Sequence, residues 1–134
     1  MRLKIVVVIL VVLVFITAVV MIANKKNTIE LEAKDGAVLQ YQYKGVEFTQ
    51  ELQSVDAEEI KSIINRKRIH KDNPSCGFSE SISIHIGIRT FCVAQDSCGI
   101  LQVGKEKKYI YISDSERKKI NEIFRKYGGT FPCI

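Results

Sequence analysis

The feature that most constrains this chain is an uninterrupted apolar run close to its N-terminus. In residues 5–23 Thr17 is the only polar side chain. A helix of this length extends about 28 Å, close to the thickness of the hydrocarbon core of a bilayer. A core helix of a small domain needs a polar face, which this run lacks. The run therefore predicts a membrane-targeting helix within residues 1–23, with membrane contact through residues 5–23.

Two interpretations of this segment remain open, an uncleaved single-pass signal-anchor and a cleaved signal peptide. Signal-peptide cores usually contain about 7–15 apolar residues and end at a small-x-small site. This core is longer, and cleavage after Ala18 or Ala23 would place Ile16 or Met21 at the third position before the cut. We favour the anchor, whereas cleavage would make the remaining domain a secreted protein.

Charge and cysteine content bear on the compartment. Residues 24–134 carry 18 Lys+Arg against 15 Asp+Glu, a balance of +3 that is too mild to predict a nucleic-acid partner. Arg2 and Lys4 before the apolar run nearly balance Lys25 and Lys26 after it, so flanking charge orients the segment weakly. The even number of cysteines, four, favours an oxidising compartment. We therefore expect a cell-membrane protein with an extracytoplasmic C-terminal domain.

Residues 24–134 predict one small α+β domain, in which two helices pack on an antiparallel sheet. Strand-like alternation or strand-forming composition marks several segments. Asp35-Gly36 predicts a hairpin between the first two of them. The predicted strands cover residues 28–33, 38–43, 46–49, 81–89, 100–103 and 109–112.

Two amphipathic segments predict the helices. The first begins near Ser54, with Ser54 or Asp56 as the capping residue, and the second begins at the Ser113-x-x-Glu116 capping box. Each contains an apolar stripe at helical spacing, which predicts the side that packs on the sheet. The stripes are Ile60, Ile63 and Ile64 in the first helix, and Ile120, Ile123, Phe124 and Tyr127 in the second.

The order of strands, helix, strands, helix is compatible with a tandem pseudo-repeat. The helix starts resemble each other, and Ser-Cys-Gly recurs at Cys76 and at Cys98. Common capping and turn chemistry explains the same matches, so both interpretations remain open.

The segment 81–89 alternates cleanly and predicts a strand with two different faces. Isoleucines at positions 82, 84, 86 and 88 share one face, on which Cys92 is also expected unless a bulge intervenes. The opposite face is the candidate binding face, although a solvated sheet surface explains the same pattern. A Ser–His nucleophile is a further alternative, but neither serine lies in a Gly-x-Ser-x-Gly elbow. The candidate binding residues are Ser81, Ser83, His85 and Arg89.

The disulfide candidates are Cys76, Cys92, Cys98 and Cys133. Three pairings are open, and we favour Cys92–Cys98 across a local hairpin together with Cys76–Cys133. A zinc site is a rival explanation, but the closely spaced ligand pairs typical of zinc frameworks are missing from the sequence. A redox-active thiol is another rival, and the Cys-x-x-Cys motif it favours is missing as well.

These features predict a non-enzymatic protein better than an enzyme, because no catalytic, cofactor-binding or metal-binding motif is visible in the sequence. The first hypothesis is a membrane-anchored binding or accessory domain that contacts a protein or an envelope component. The second is a secreted, inhibitor-like or immunity-like protein, which requires signal cleavage. The third is a small hydrolase or thiol enzyme that uses Cys92 or His85.

Overall fold

The computed structural model describes residues 2–129. An N-terminal apolar helix precedes a domain with one antiparallel sheet and two further helices, so the predicted α+β class is confirmed. The helices are α1 (Arg2–Lys26), α2 (Ser54–Ile64) and α3 (Asp114–Lys126), and the strands are β1 (Ala37–Tyr43), β2 (Val46–Glu51), β3 (Ile82–Ile86), β4 (Arg89–Val93), β5 (Ile100–Val103) and β6 (Tyr109–Tyr111).

Helix α1 is apolar on every side because its sequence has no polar stripe. Its segment Lys4–Ala23 is 20 residues long, and none of it is buried against the domain. At about 1.5 Å per residue the segment extends about 30 Å, so its length and composition suit a bilayer crossing. A signal sequence has the same properties, and the choice between anchor and signal peptide stays a prediction.

The sheet has the strand order β2-β1-β3-β4-β5-β6, and every neighbouring pair is antiparallel. The register aligns alternate apolar residues across it, with Leu39 opposite Ile84 and Ile84 opposite Phe91. This apolar side, the inner face, packs against α2 and α3. Its central residues are Ala37, Leu39, Tyr41, Ile82, Ile84, Ile86, Phe91, Val93, Leu101 and Ile110.

The predicted strand over residues 28–33 is wrong. Of these residues only Thr28 forms a β-bridge, to Arg68, and the segment stays outside the six-stranded sheet. The backbone of Ile29 instead donates to the carbonyl of Lys67 and accepts from the amide of Arg66. Because the segment pairs with the chain that follows α2, the predicted hairpin at Asp35-Gly36 does not form between two strands.

The predicted strand over residues 81–89 is two strands joined by a hairpin. Strand β3 ends at Ile86, which pairs with Arg89 of β4, so Gly87 and Ile88 form a two-residue turn. Gly87 has a φ of 56°, which suits a type II′ turn with glycine at its first central position. Ile88 is therefore fully exposed at the tip, and its predicted place on the isoleucine face is wrong.

The two helices begin differently. The Ser113 side chain of α3 accepts from the Glu116 amide while the Glu116 carboxylate accepts from the Ser113 amide, so the predicted capping box is confirmed. The N-cap of α2 is Gln53, which makes no side-chain capping bond. The prediction of Ser54 or Asp56 as the cap is wrong, since both residues lie inside the helix.

Candidate functional site: the outer face of the sheet

The outer face is the sheet side opposite α2 and α3. One row across it contains Gln40, Ser83, Cys92 and Gln102, and a second row contains His85. The predicted place of Cys92 among the isoleucines is wrong, because the two-residue turn at Gly87-Ile88 sets Cys92 opposite Ser83. The outer face consists of Val38, Gln40, Gln42, Glu47, Thr49, Glu51, Ser83, His85, Thr90, Cys92, Ile100, Gln102, Tyr109 and Tyr111.

One half of the outer face is covered by the loop of residues 72–81. The ring of Phe78 lies 5.5 Å from that of Tyr109, and the Ser83 hydroxyl donates to the Glu80 carbonyl at 2.8 Å. Ser83 is completely buried, and Cys92 and Tyr109 are nearly so. The other half, toward β1 and β2, is open to solvent and exposes Gln42, Glu47, Thr49 and Glu51.

The disulfide joins Cys76 of this loop to Cys98 of the loop after β4, with the Cα atoms 6.4 Å apart. The predicted Cys92–Cys98 pairing is wrong, because the register pairs Cys92 with Gln102 and leaves Cys98 beyond the strand ends. Bonding to Cys98 also excludes the predicted Cys76–Cys133 bridge, and Cys133 itself lies outside the described residues. Cys92 remains a free thiol.

His85 lies between the open and covered halves, and its ring is held from both sides. Its Nδ1 is 3.0 Å from the Thr90 hydroxyl, and its Nε2 is 3.1 Å from both Gln40 Oε1 and Ser83 Oγ. Because an amide oxygen can only accept, the bond to Gln40 places the proton of neutral His85 on Nε2. Nδ1 then accepts from Thr90, and the imidazole is fully bonded within the sheet.

This geometry does not make Ser83 a nucleophile. Its hydroxyl hydrogen points to the Glu80 carbonyl rather than to a basic imidazole nitrogen, and the residue has no exposed surface. Nucleophilic serines need a general base that accepts the hydroxyl proton and an open approach for the substrate. The Ser–His pair is therefore a structural network within the covered half of the outer face.

The Cys92 thiol is equally unsuited to nucleophilic attack. Burial beneath the 72–81 loop raises the pKa of Cys92, and the negative charge of Glu80 adds to this effect. Because the thiolate is the reactive form, a buried thiol with a raised pKa reacts slowly. Cys92 therefore behaves as a small apolar side chain of the sheet.

The four candidate binding residues do not form one surface. Ser81 precedes β3, and its carbonyl accepts from the Gln42 amide. Ser83 and His85 lie on the outer face, whereas Arg89 pairs with Ile86 and belongs to the end of the inner face. The sequence pattern suggested a single face because it did not reveal the turn at Gly87-Ile88.

A groove at that end of the sheet was not predicted. It has a volume of about 610 Å³, and it lies between the segment after α1 and the tips of two hairpins. Arg89, Lys105 and Lys108 bring positive charge to it, and Glu30 and Glu106 bring negative charge. The other lining residues are Thr28, Ile69, Ile88, Thr90, Val103 and Gly104.

Cys76, Asp96 and Cys98 are the group of side chains in the described residues that lie close enough together for a metal ion. Both sulfur atoms are used in the disulfide, so neither is a thiolate ligand. Asp96 accepts from the Cys98 amide at 3.0 Å, a local turn bond that explains its position. The disulfide and this turn bond therefore account for the proximity of the three side chains.

No protein-family model, curated protein or solved structure matches this chain, so its function has to be inferred from its own residues.

Proposed function

We propose that this chain is a membrane-anchored binding or accessory protein, and that the open half of its outer face contacts a protein or an envelope component. Helix α1 supplies the anchor, and the α+β domain supplies a rigid surface beside the membrane.

The observation that carries the anchor is the exposure of α1. No residue of Lys4–Ala23 is buried against the domain. In water this segment would be a large exposed apolar surface, which soluble monomers avoid. A bilayer removes that surface from water, and the intact helical hydrogen bonding of α1 is what a lipid environment requires.

The Cys76–Cys98 bond supports an extracytoplasmic position of the domain. Structural disulfides persist in oxidising compartments and are rare in the reducing cytoplasm. This bond closes a loop with a sequence separation of 22 residues, which corresponds to about 3 kcal/mol of stabilisation. A cytoplasmic domain would lose that contribution together with the cover over Cys92.

The open half of the outer face supports a binding role. Gln42, Glu47, Thr49 and Glu51 are exposed on the regular backbone of β1 and β2, which holds their side chains in fixed relative positions. They supply amide, hydroxyl and carboxylate groups without an adjacent nucleophile. Such a surface suits recognition through hydrogen bonds better than covalent chemistry.

Site-specific photo-crosslinking in native membranes tests this proposal. A photoreactive residue at Gln42 should give one product of defined mass, and the same residue at Lys118 on exposed α3 should give none. Thr49→Arg, which adds bulk and charge beside Gln42 without touching the core, should reduce the Gln42 product. Equal labelling at Gln42 and Lys118, or no labelling at either, would contradict a binding surface here.

Intact-mass measurement on the membrane fraction separates the anchored protein from the secreted alternative. An uncut chain starting at Met1 supports the anchor, and a chain shortened near Ala23 supports the secreted inhibitor-like or immunity-like protein. The unreduced protein should also be lighter by the two hydrogen atoms lost when the Cys76–Cys98 bond forms. Four thiols that alkylate in the denatured protein without reduction would contradict the disulfide and the extracytoplasmic position of the domain.

A further inference from the structure

We propose that the end of the sheet next to α1 is a contact surface for the anionic headgroups of the bilayer that holds α1. The anchor-proximal surface consists of Ile88 and Arg89 in the groove of about 610 Å³, Arg68 and Lys71 in an adjoining cavity, and Lys107 in the turn between β5 and β6. This inference rests on the proposed role of α1 as a membrane anchor, and it adds how the domain is oriented on the membrane.

Chain connectivity fixes the distance of this surface from the membrane. The apolar segment ends at Ala23, and α1 ends at Lys26, only about 4.5 Å further along the helix axis. The polar headgroup layer on each side of a bilayer is roughly 5–8 Å thick. Thr28, which lines the groove and bridges to Arg68, is therefore held at headgroup level.

The cations of this surface are available for an anionic ligand. Arg68, Lys71 and Arg89 line the groove or the adjoining cavity of about 450 Å³, and Lys107 lies in the turn between β5 and β6. Within residues 2–129 none of these four cations forms a salt bridge, although the charge of Lys71 contributes to lowering the pKa of the nearby Glu106. The neighbouring cations are occupied, since Lys105 pairs with Glu80 and Lys108 with Glu106.

Carboxylates also lie in this region but do not cancel its charge. Glu30 and Glu106 line the groove, and Asp35 lies beside the Gly87 backbone. Asp72 accepts from the Tyr111 hydroxyl, away from the groove lining. A surface with unpaired cations beside an anchor is attracted to anionic lipid, where each cation is worth roughly a fivefold change in a docking equilibrium.

Ile88 adds an apolar contact at the same place. It is the fully exposed tip residue of the β3–β4 hairpin, and it lines the groove together with Thr28 and Arg89. A fully exposed isoleucine next to a cation is suited to the boundary between headgroups and acyl chains. The fold thus places one apolar tip and a set of cations on the side from which α1 leaves.

Amide hydrogen exchange of the full chain in lipid nanodiscs tests the inference. Discs of phosphatidylcholine are compared with discs that contain about one third phosphatidylglycerol. The amides of residues 87–89 and 105–107 should exchange at least about tenfold more slowly in the anionic discs, given the attraction per cation. The combined variant Arg68→Gln, Lys71→Gln and Lys107→Gln should abolish the difference, and Ile88→Ser should reduce it.

Matched control variants remove cations and an apolar side chain elsewhere on the molecule. Lys44→Gln, Lys118→Gln and Arg125→Gln remove three exposed cations from the β1–β2 hairpin and α3, and Val46→Ser removes an exposed apolar side chain at the opposite end of the sheet. Both controls should keep the slowed exchange. Loss of the slowing in the control triple variant would overturn the inference, because net charge rather than this surface would then be responsible.

The remaining outcomes separate this inference from the proposed function. Failure of the chain to enter discs, or fast exchange of residues 5–23 in both lipids, would overturn the anchor and with it the inference. Slow exchange of residues 5–23 with equal exchange at 87–89 in both lipids would keep the anchor and overturn only the surface. Slowing reproduced by inorganic phosphate in phosphatidylcholine discs would overturn the lipid as the ligand.

Discussion

The two faces of the sheet are buried by different means. On the inner face, Leu39, Ile84 and Phe91 are completely buried beneath α2 and α3. The alternation of apolar and polar residues along the strands predicts this burial. On the outer face, Ser83 is equally buried, although the same alternation predicts exposure. The cover there is the irregular 72–81 loop, held by a disulfide, so burial on the two faces depends on different interactions.

The largest effect is expected from Ile84→Ala on the inner face. Ile84 is completely buried at the centre of the sheet, between Leu39 and Phe91, so the variant leaves a cavity that rigid strands cannot close. The free energy of unfolding should fall by about 4 kcal/mol. Urea unfolding of the full chain in detergent, followed by circular dichroism, measures this loss.

Val46→Ala is the control for this loss, because Val46 is a partly exposed apolar residue at the sheet edge. Its change should stay within about 0.5 kcal/mol. Equal losses in the two variants would mean that the inner face is not the core.

The next effect concerns the cover of the outer face. Replacing Cys76 and Cys98 together by serine should lower the free energy of unfolding by about 3 kcal/mol, through the entropy of the opened loop. The Cys92 thiol should then alkylate faster at constant pH, since the burial that raises its pKa and blocks access is weakened. Mass spectrometry after timed alkylation measures the rate.

A Cys92→Ser variant controls for labelling at other sites in the same experiment. Unchanged protection of Cys92 after loss of the disulfide would show that the loop does not depend on the bond for its position.

Ile84 and Cys92 also show which features of the fold can be predicted from the sequence and which cannot. Alternation and capping motifs predict α3 and the isoleucine face, because those signals are local. The turn at Gly87-Ile88 and the position of the 72–81 loop depend on strand register and long-range contacts. The two-residue turn shifts the alternation of inward and outward side chains by one position. Cys92 therefore lies on the outer face, and Arg89 lies on the inner face.

Polar contacts of α2 with segments distant in the sequence could not be predicted from the sequence either. Buried Lys61 donates to the carbonyls of Ala33 and Asp35 and so ties α2 to the segment before β1. Asp56, predicted as a capping residue, accepts from Lys126 at the end of α3 and from the hydroxyl of the C-cap residue Tyr127. Contacts across some 70 positions leave no local pattern from which to predict them.

Asp56→Asn should lower the free energy of unfolding by about 2 kcal/mol at neutral pH. The hydrogen bond from Lys126, together with that from the Tyr127 hydroxyl, lowers the pKa of Asp56 despite burial. Its contribution is complete above the ordinary carboxyl pKa of about 3.9 and is lost as the pH falls through the lowered value in the folded state. The difference between the wild type and Asp56→Asn should therefore narrow below about pH 4.

Urea unfolding at a series of pH values checks this narrowing, with Glu122→Gln on the exposed side of α3 as the control. The control should change stability by no more than about 0.5 kcal/mol at neutral pH. A difference between wild type and Asp56→Asn that stays constant down to pH 2 would contradict the lowered pKa.

The smallest expected effect concerns His85, which lies at the border between the open and covered halves of the outer face. It tests whether hydrogen bonds hold this border in a fixed geometry. Thr90→Val keeps the shape of the side chain but removes the hydroxyl that His85 Nδ1 accepts from at 3.0 Å, so the free energy of unfolding should fall by about 1 kcal/mol. Thr49→Val makes the same chemical change on the same face, at an exposed threonine of β2, and should be nearly neutral. Nitrogen chemical shifts of His85 should show the Nε2-protonated form in the wild type, as the bond to Gln40 requires. Equal stability of the two variants would mean that the bond between Thr90 and His85 does not order this border of the open half.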